Sequence, residues 1–312
     1  MAAGVVLATA GYGSQINFWD VSTGTSTRSV NFPDSQVNVL AVSPDKLHLV
    51  AGGNPKIRMF ETSTNNPNPV TEFEGHTSNV TAVGFPNHSR WVYSGSEDGT
   101  IKIFDTRSAA VQRNYENKDK VGITSVALHP NQAQLISADQ NGTIRVWDLP
   151  ADKCIAQSKP ETDDIAMRSV SVASNGSMVA ACNNVGHCFL WLMDDHQSCY
   201  SLGNQTPLAK KVHDTYSLKC LISPDRKLLA TASADHTVKL WRLPDFTLDK
   251  ILGEHQRWVH DIAFSADSSF LASASSDGRA RLWQVSDGEM VHHYTGHTKA
   301  IVAVALNDSS LD

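Results

Sequence analysis

His76, Ser94 and Asp98 bring together the three residue types of a nucleophilic triad, in which a histidine takes the proton of a hydroxyl and a carboxylate orients the ring. The same types return at the same spacing. His213, Thr231 and Asp235 form a second set, and His255, Ser273 and Asp277 a third. In each, the His stands 22 residues before the Asp and the hydroxyl residue four before it. A catalytic site is a single constellation with an exposed nucleophile, whereas a set that recurs at fixed spacing is a structural device. Buried imidazole, hydroxyl and carboxylate groups must find partners, and here they can satisfy one another. Such a network ties the loop before one strand to the turn between the next two.

Other chemistries leave no trace in the chain. It has no G-x-S-x-G elbow, no phosphate-binding G-x-x-x-x-G-K-[ST] loop, and no H-E-x-x-H or Cys/His zinc spacing among its 13 histidines. No enzymatic activity, cofactor or metal is therefore expected. The net charge is −6 with no basic run, which argues against a nucleic-acid surface. No stretch of about 18 apolar residues occurs, so no membrane insertion is expected. The N-terminal MAAGVVLATAG reads as a strand rather than a signal peptide. Five cysteines without a C-x-x-C pair fit a reduced, cytosolic compartment.

The elements that position these residues repeat along the whole chain. Seven segments close on an aromatic: INFWD, IRMFE, IKIFD, IRVWD, CFLWL, VKLWR and ARLWQ. The aromatics are Trp19, Phe60, Phe104, Trp147, Trp191, Trp241 and Trp283, at spacings of 41, 44, 43, 44, 50 and 42 residues. That period is a propeller blade's. Residues 76–115 show the internal pattern: VTAVGF, WVYSGS, TIKIFD and VQRNY are short runs with period 2, separated by turn residues. The longest insert, DDHQSCYSLGNQTPLAKK, reads as a long hairpin or loop. The chain begins at a middle strand, VVLATAG, and finishes at an inner strand within GHTKAIVAVALND. Joining them completes a blade shared between the N-terminal strands and residues 297–308, and closes the ring. The expected fold is all-β: a seven-bladed β-propeller forming one domain over residues 1–312, its last inner strand closing the first blade.

A His, a Ser or Thr, an Asp and a Trp in this order resemble the WD-repeat (WD40) family, where they form a network inside a blade. The match is uneven. The repeats ending at Trp241 and Trp283 have the full set, Phe104 lacks the indole donor, Asn141 replaces the Asp, and Gly13 leaves the first repeat without one. The fifth repeat, around VAACNNVGHCFLW, lacks the set, so packing alone is expected to hold that blade. The resemblance also implies which residues ring one mouth of the channel. One ring is Gln36, Asn79, Gly122, Ala166, Tyr216, Trp258 and Ala300; two residues on stand Asn38, Thr81, Thr124, Arg168, Leu218, His260 and Val302. Trp258 is out of pattern there. It either covers a neighbouring blade's loop or anchors a partner, and Arg257 beside it is either a solvated charge or a stacking group.

The segments VLATAGY, DSQVN, NNPNP, LHPNQAQLI, SPDRKLLATASAD, ASSDGRARLW and GHTKAIVAVALNDS resemble one subfamily, the small G-protein β-like WD-repeat subunit of target-of-rapamycin (TOR) kinase complexes. This resemblance implies a non-catalytic subunit that binds an insertion in the C-terminal lobe of the kinase domain, near the active-site cleft. It implies support of kinase stability and activity in both TOR complexes, contact through the kinase with their other subunits, and a cytoplasmic location with peripheral association to endomembranes. The residues carried over are Gln36, Asn38, Trp258 and His260, with Tyr216 and Arg257 added from the ring; His260 stands where a Trp is expected in animal relatives. The competing readings are a general scaffold, a substrate receptor of a cullin-type ubiquitin ligase (from Phe104-Asp105-Thr106-Arg107), and a phosphopeptide reader using Arg168 and Arg257.

Overall fold

In the computed structural model, which describes residues 5–116, 119–193 and 199–308, seven four-stranded antiparallel sheets form a β-propeller. Blade 1 joins the inner strand Ile301–Asn307 to Val6–Gly11, Gln15–Trp19 and Ser26–Asn31. Blades 2 to 7 follow in chain order over residues 39–73, 80–116, 123–158, 167–211, 217–252 and 259–295. Residues 194–198 of the long insert lie outside the described residues; the remainder holds a 3₁₀ turn, Tyr200–Asn204, and an outer strand, Leu208–Lys211. No helix among the described residues is long and apolar enough to cross a membrane.

The aromatic that closes each third strand packs beneath the outer strand of the blade before it. Trp19 meets Tyr294 with ring centroids 5.5 Å apart, Phe104 meets Phe73 at 5.4 Å, and Trp147 meets Tyr115 at 5.5 Å. The Lys210 ammonium lies 5.1 Å from the Trp241 ring. Each blade thus covers the next, and the flat inner faces of the sheets become seven small cores. Truncating one of these aromatics to Ala costs about 3–5 kcal/mol in such sites.

The polar sets are staples. In blade 7, His255 bonds Asp277 through Nδ1 at 2.9 Å and the Ser273 hydroxyl through Nε2 at 2.8 Å, and the Trp283 indole N–H donates to that hydroxyl at 2.8 Å. Blade 6 repeats the set with His213, Asp235, Thr231 and Trp241 at 2.7–3.0 Å. In blade 3, His76 bonds Asp98 and Ser94 at 2.8 and 2.6 Å, and Phe104 leaves the hydroxyl without an indole. Ser94, Thr231 and Ser273 are sealed from solvent, so none of them can meet a substrate. Burial alone would raise the Asp98, Asp235 and Asp277 carboxyls; hydrogen bonds from the paired His and from nearby donors (Thr100, Thr237 and Arg281) outweigh it and hold all three well below the usual carboxylate range.

Blade 1 carries its own version across the chain ends. His297 bonds Thr9 at 2.8 Å, and the Trp19 indole donates to Thr9 at 2.7 Å. Strand pairing aligns Val6 with Asn307 and Gly11 with Ile301. Position 11 must be glycine, because a Cβ there would lie 2.0 Å from the Ala300 carbonyl oxygen.

The expectation for the fifth blade needs correction. Ala181 stands where blades 1, 3, 4, 6 and 7 have the hydroxyl, and the Trp191 indole N–H is buried with no acceptor among the described residues. Yet the blade is not held by packing alone. Glu161, in the loop before the inner strand, bonds His187 at 2.6 Å and Asn183 at 3.1 Å, and Asn183 accepts the N–H groups of Val185 and His187. A carboxylate on the loop and an imidazole on the strand reverse the usual arrangement. Asp139 replaces the missing Asp of blade 4 from two residues earlier, accepting the N–H groups of Asn141 and Thr143 and pairing with Arg145. Blade 2 uses Arg58, 4% exposed, which donates to the Pro33 carbonyl at 2.7 Å and stacks over Phe32 at 4.7 Å.

Two outcomes follow. Deleting residues 297–312 removes the inner strand of blade 1, and the truncated chain is expected to lose its cooperative thermal transition by circular dichroism. A truncation that melts like the full chain contradicts closure. Burial lowers His297 from 6.5 to about 4 and lowers His255 and His260 as well, so the fold takes up protons on these rings less readily than the unfolded chain does. Below pH 6.5 the unfolded state binds more protons, so stability is complete above that pH and falls as pH drops toward about 4. Urea midpoints across pH 4–7.5 check this, and His297→Asn is expected to flatten the slope.

Candidate partner-binding site

The staples set the loops of one face. In blades 6, 7 and 1, the stapled residues His213, His255 and His297 each stand three residues before a ring position, Tyr216, Trp258 and Ala300. A backbone bond locks the other side. Ala234 N–H donates to Tyr216 O at 3.0 Å, Ser276 N–H to Trp258 O at 2.9 Å, and Tyr12 N–H to Ala300 O at 3.1 Å. The loop before each inner strand and the turn after each second strand are thus one rigid unit.

The second ring closes on the propeller axis. Asn38, Thr81, Thr124, Arg168, Leu218, His260 and Val302 together line a cavity of about 250 Å³. Its polar groups are largely committed inside the molecule. Thr81 donates to the Ile123 carbonyl of the next blade at 2.7 Å. The Asn38 amide donates to Gly53 O and Val80 O, both at 3.3 Å, and accepts from Gln36 Nε2 at 3.1 Å. Asn38 therefore acts as a strut between blades 2 and 3, with the half-buried Gln36 resting on it. His260 bonds the Ser276 hydroxyl at 2.6 Å, and burial lowers its pKa despite the Asp261 carboxylate beside it.

Trp258 is 44% exposed and Tyr216 46% exposed, so neither is a core side chain. Their rings meet edge-to-face, with centroids 6.0 Å apart and planes at 86°. The Trp258 ring also lies 6.2 Å from the His260 ring. The indole thus packs against the neighbouring blade's loop and His260 while nearly half of the residue's surface faces solvent. Arg257 is exposed, and its carbonyl accepts the Ser275 hydroxyl at 3.2 Å. The structure brings Tyr216, Arg257, Trp258 and His260 together across blades 6 and 7, and it places Gln36 and Asn38 on blade 2 at the same mouth.

One mouth residue was not foreseen from the inner strands. Tyr12, in the turn after the second strand of blade 1, is 46% exposed and lines the axial cavity. It stands seven residues before Trp19; the matching positions are Gly53, Glu97, Gln140, Asn184, Ala234 and Ser276, so it is the sole aromatic of that ring. That alignment was the signal available. Tyr12, Trp258 and Tyr216 occupy three consecutive blades, 1, 7 and 6. The opposite side presents exposed Glu97, Gln140 and Arg168.

Seven four-stranded blades, three of them stapled by a histidine, a hydroxyl and an indole, define a WD-repeat propeller. Residues 67–105 and 111–148 match the family described as WD domain, G-beta repeat, and residues 220–309 match the anaphase-promoting complex subunit 4 WD40 domain. The chain is 47% identical to target of rapamycin complex subunit wat1 of Schizosaccharomyces pombe, over 97% of this chain and 96% of that protein. It is 47% identical to subunit LST8 of Saccharomyces cerevisiae, over 97% and 99% of the two chains, and 43% identical to LST8 of Bos taurus, over 98% and 96%. The chain belongs to the LST8 family of WD-repeat proteins.

Because Asn38 joins two blades, Asn38→Ala is expected to cost about 1–2 kcal/mol of unfolding free energy. Gln36→Ala, which removes only a bond onto Asn38, should cost less than about 0.5 kcal/mol. Urea titrations of both variants check the order, and equal costs contradict the strut.

Proposed function

We propose that this protein is the non-catalytic WD-repeat subunit of TOR kinase complexes. It binds the kinase catalytic domain through that domain's C-lobe insertion and supports the kinase's stability and activity in growth signalling. Through the kinase it associates with the other subunits of both complexes. It works in the cytoplasm, with peripheral association to endomembranes through those complexes. The names of its relatives support the complex, and the mouth supports the contact.

The observation that carries the contact is the arc of half-exposed aromatics, Tyr12, Trp258 and Tyr216, on loops held rigid by staples. Aromatic anchors give large contact area for little rotamer entropy and dominate interface energetics. The edge-to-face contact with Tyr216 orders Trp258 before any partner arrives. Gln36 and Arg257 supply the polar rim.

Co-purification with a TOR kinase domain tests this. Trp258→Ala, verified as folded, is expected to weaken binding by about 2 kcal/mol or more, roughly thirtyfold. Equal binding by variant and natural chain places the anchor elsewhere. Failure of the natural chain to bind overturns the kinase-subunit reading.

A further inference from the structure

The far end of the closure seam carries a second feature. The inner strand of blade 1 runs from Val302 at the axial cavity to Leu306, about 13 Å further along at the usual rise per residue. There, between blades 7 and 1, lies a groove of about 660 Å³. Its apolar lining includes Val5, Val21, Phe270, Leu282, Val291 and Leu306. Val5 and Val291 are 48% and 40% exposed, so the apolar surface opens to solvent. Its volume falls within the range of about 300–1,000 Å³ usual for binding clefts.

The rim is of one charge sign. Asp20 and Asp308 line the groove, with His292 between the blades. None of the residues lining the groove is a lysine or arginine, and the stretches 265–270 and 284–292 beside it add Asp267, Asp287 and Glu289. Cations adjoining the lining in sequence or strand are occupied: Arg281, next to Leu282, is buried and pairs with Asp277. Arg28 donates to the carbonyls of Glu61 and Asn66 and lies over Phe18, and Lys250 pairs with Asp249. Hydrogen bonds from Ser22 and Thr23 hold the Asp20 carboxyl below its ordinary value, so it is ionised at neutral pH.

We propose that this groove is a second docking site, separate from the mouth, for a peptide segment in which one or two apolar side chains are flanked by lysine or arginine. The apolar residue fills the floor, displacing water from Val291, Phe270 and Leu306. The flanking cations face Asp20 and Asp308. Such a segment reaches the propeller from the side away from the mouth, so one molecule can hold two partners, or two parts of one partner, at once.

A phage-displayed library of random nine-residue peptides, panned on the full chain and counter-selected on Val291→Lys, tests the site. Val291 is exposed, and the variant is expected to melt with the natural chain. Peptides retained only by the natural chain should be enriched at least tenfold in sequences with Lys or Arg within two positions of Leu, Ile, Phe or Met. Their synthetic forms should bind at least tenfold more weakly to Asp20→Asn/Asp308→Asn and equally well to Trp258→Ala. No discriminated peptide, a discriminated set without basic residues, or binding lost with Trp258 overturns the proposal. So does a concentration-dependent dimer in sedimentation that Val291→Lys abolishes, which would assign the groove to a second copy of this chain.

Discussion

A buried hydroxyl with an imidazole on one side and an indole on the other is the interaction on which this molecule depends. Thr231 and Ser273 accept the indole of Trp241 and Trp283 and bond His213 and His255; Thr9 does the same for Trp19 and His297. The indole end fixes the third strand, and the imidazole end fixes the loop before the inner strand. In a low-dielectric interior each bond strengthens its neighbours, and losing one member strands the others. In blade 1 the same device has a second task, because its histidine and its hydroxyl come from opposite ends of the chain. Closing the ring and stapling a blade are there one event.

Blades 6, 7 and 1, which carry this hydroxyl–imidazole–indole core, are also the blades that display Tyr216, Trp258 and Tyr12. Half-exposed aromatics are useful to a partner only if they are already in place, since ordering them on binding reduces affinity. The staple three residues upstream, the backbone bond across the loop and the contact between Tyr216 and Trp258 supply that order. The blades facing them are tied differently: Asn38 and Thr81 bridge neighbours, Arg58 holds blade 2, and Glu161 holds blade 5.

Much of this was legible in the sequence because the repeat is a backbone property. The spacing of Trp19 through Trp283 exposed the blade count, and the His–Asp spacing of 22 exposed three staples. The substitutes were hidden because they break the template. Glu161 lies 26 residues before His187, and Asp139 acts from two positions before the place where the repeat puts an Asp. Both are local solutions to a missing partner, visible only when side chains meet in space. Tyr12 escaped because the mouth was read from the inner strands alone, while its own turn contributes a third ring. Asn38 read as a contact residue, yet its amide faces the next blade, and nothing in an isolated Asn reveals the direction of its hydrogen bonds. The groove at the seam could not be seen at all, since its lining comes from both ends of the chain, residues 5–27 and 265–308.

Hydroxyl-radical footprinting of the full chain, alone and with a TOR kinase catalytic domain, tests the central claim most directly, because it reads solvent access at individual side chains. The account predicts that Tyr12, Tyr216 and Trp258 lose reactivity together on addition of the kinase domain, while Met290 and Val291 at the seam keep theirs. Protection elsewhere on the propeller with those three aromatics still reactive would contradict it.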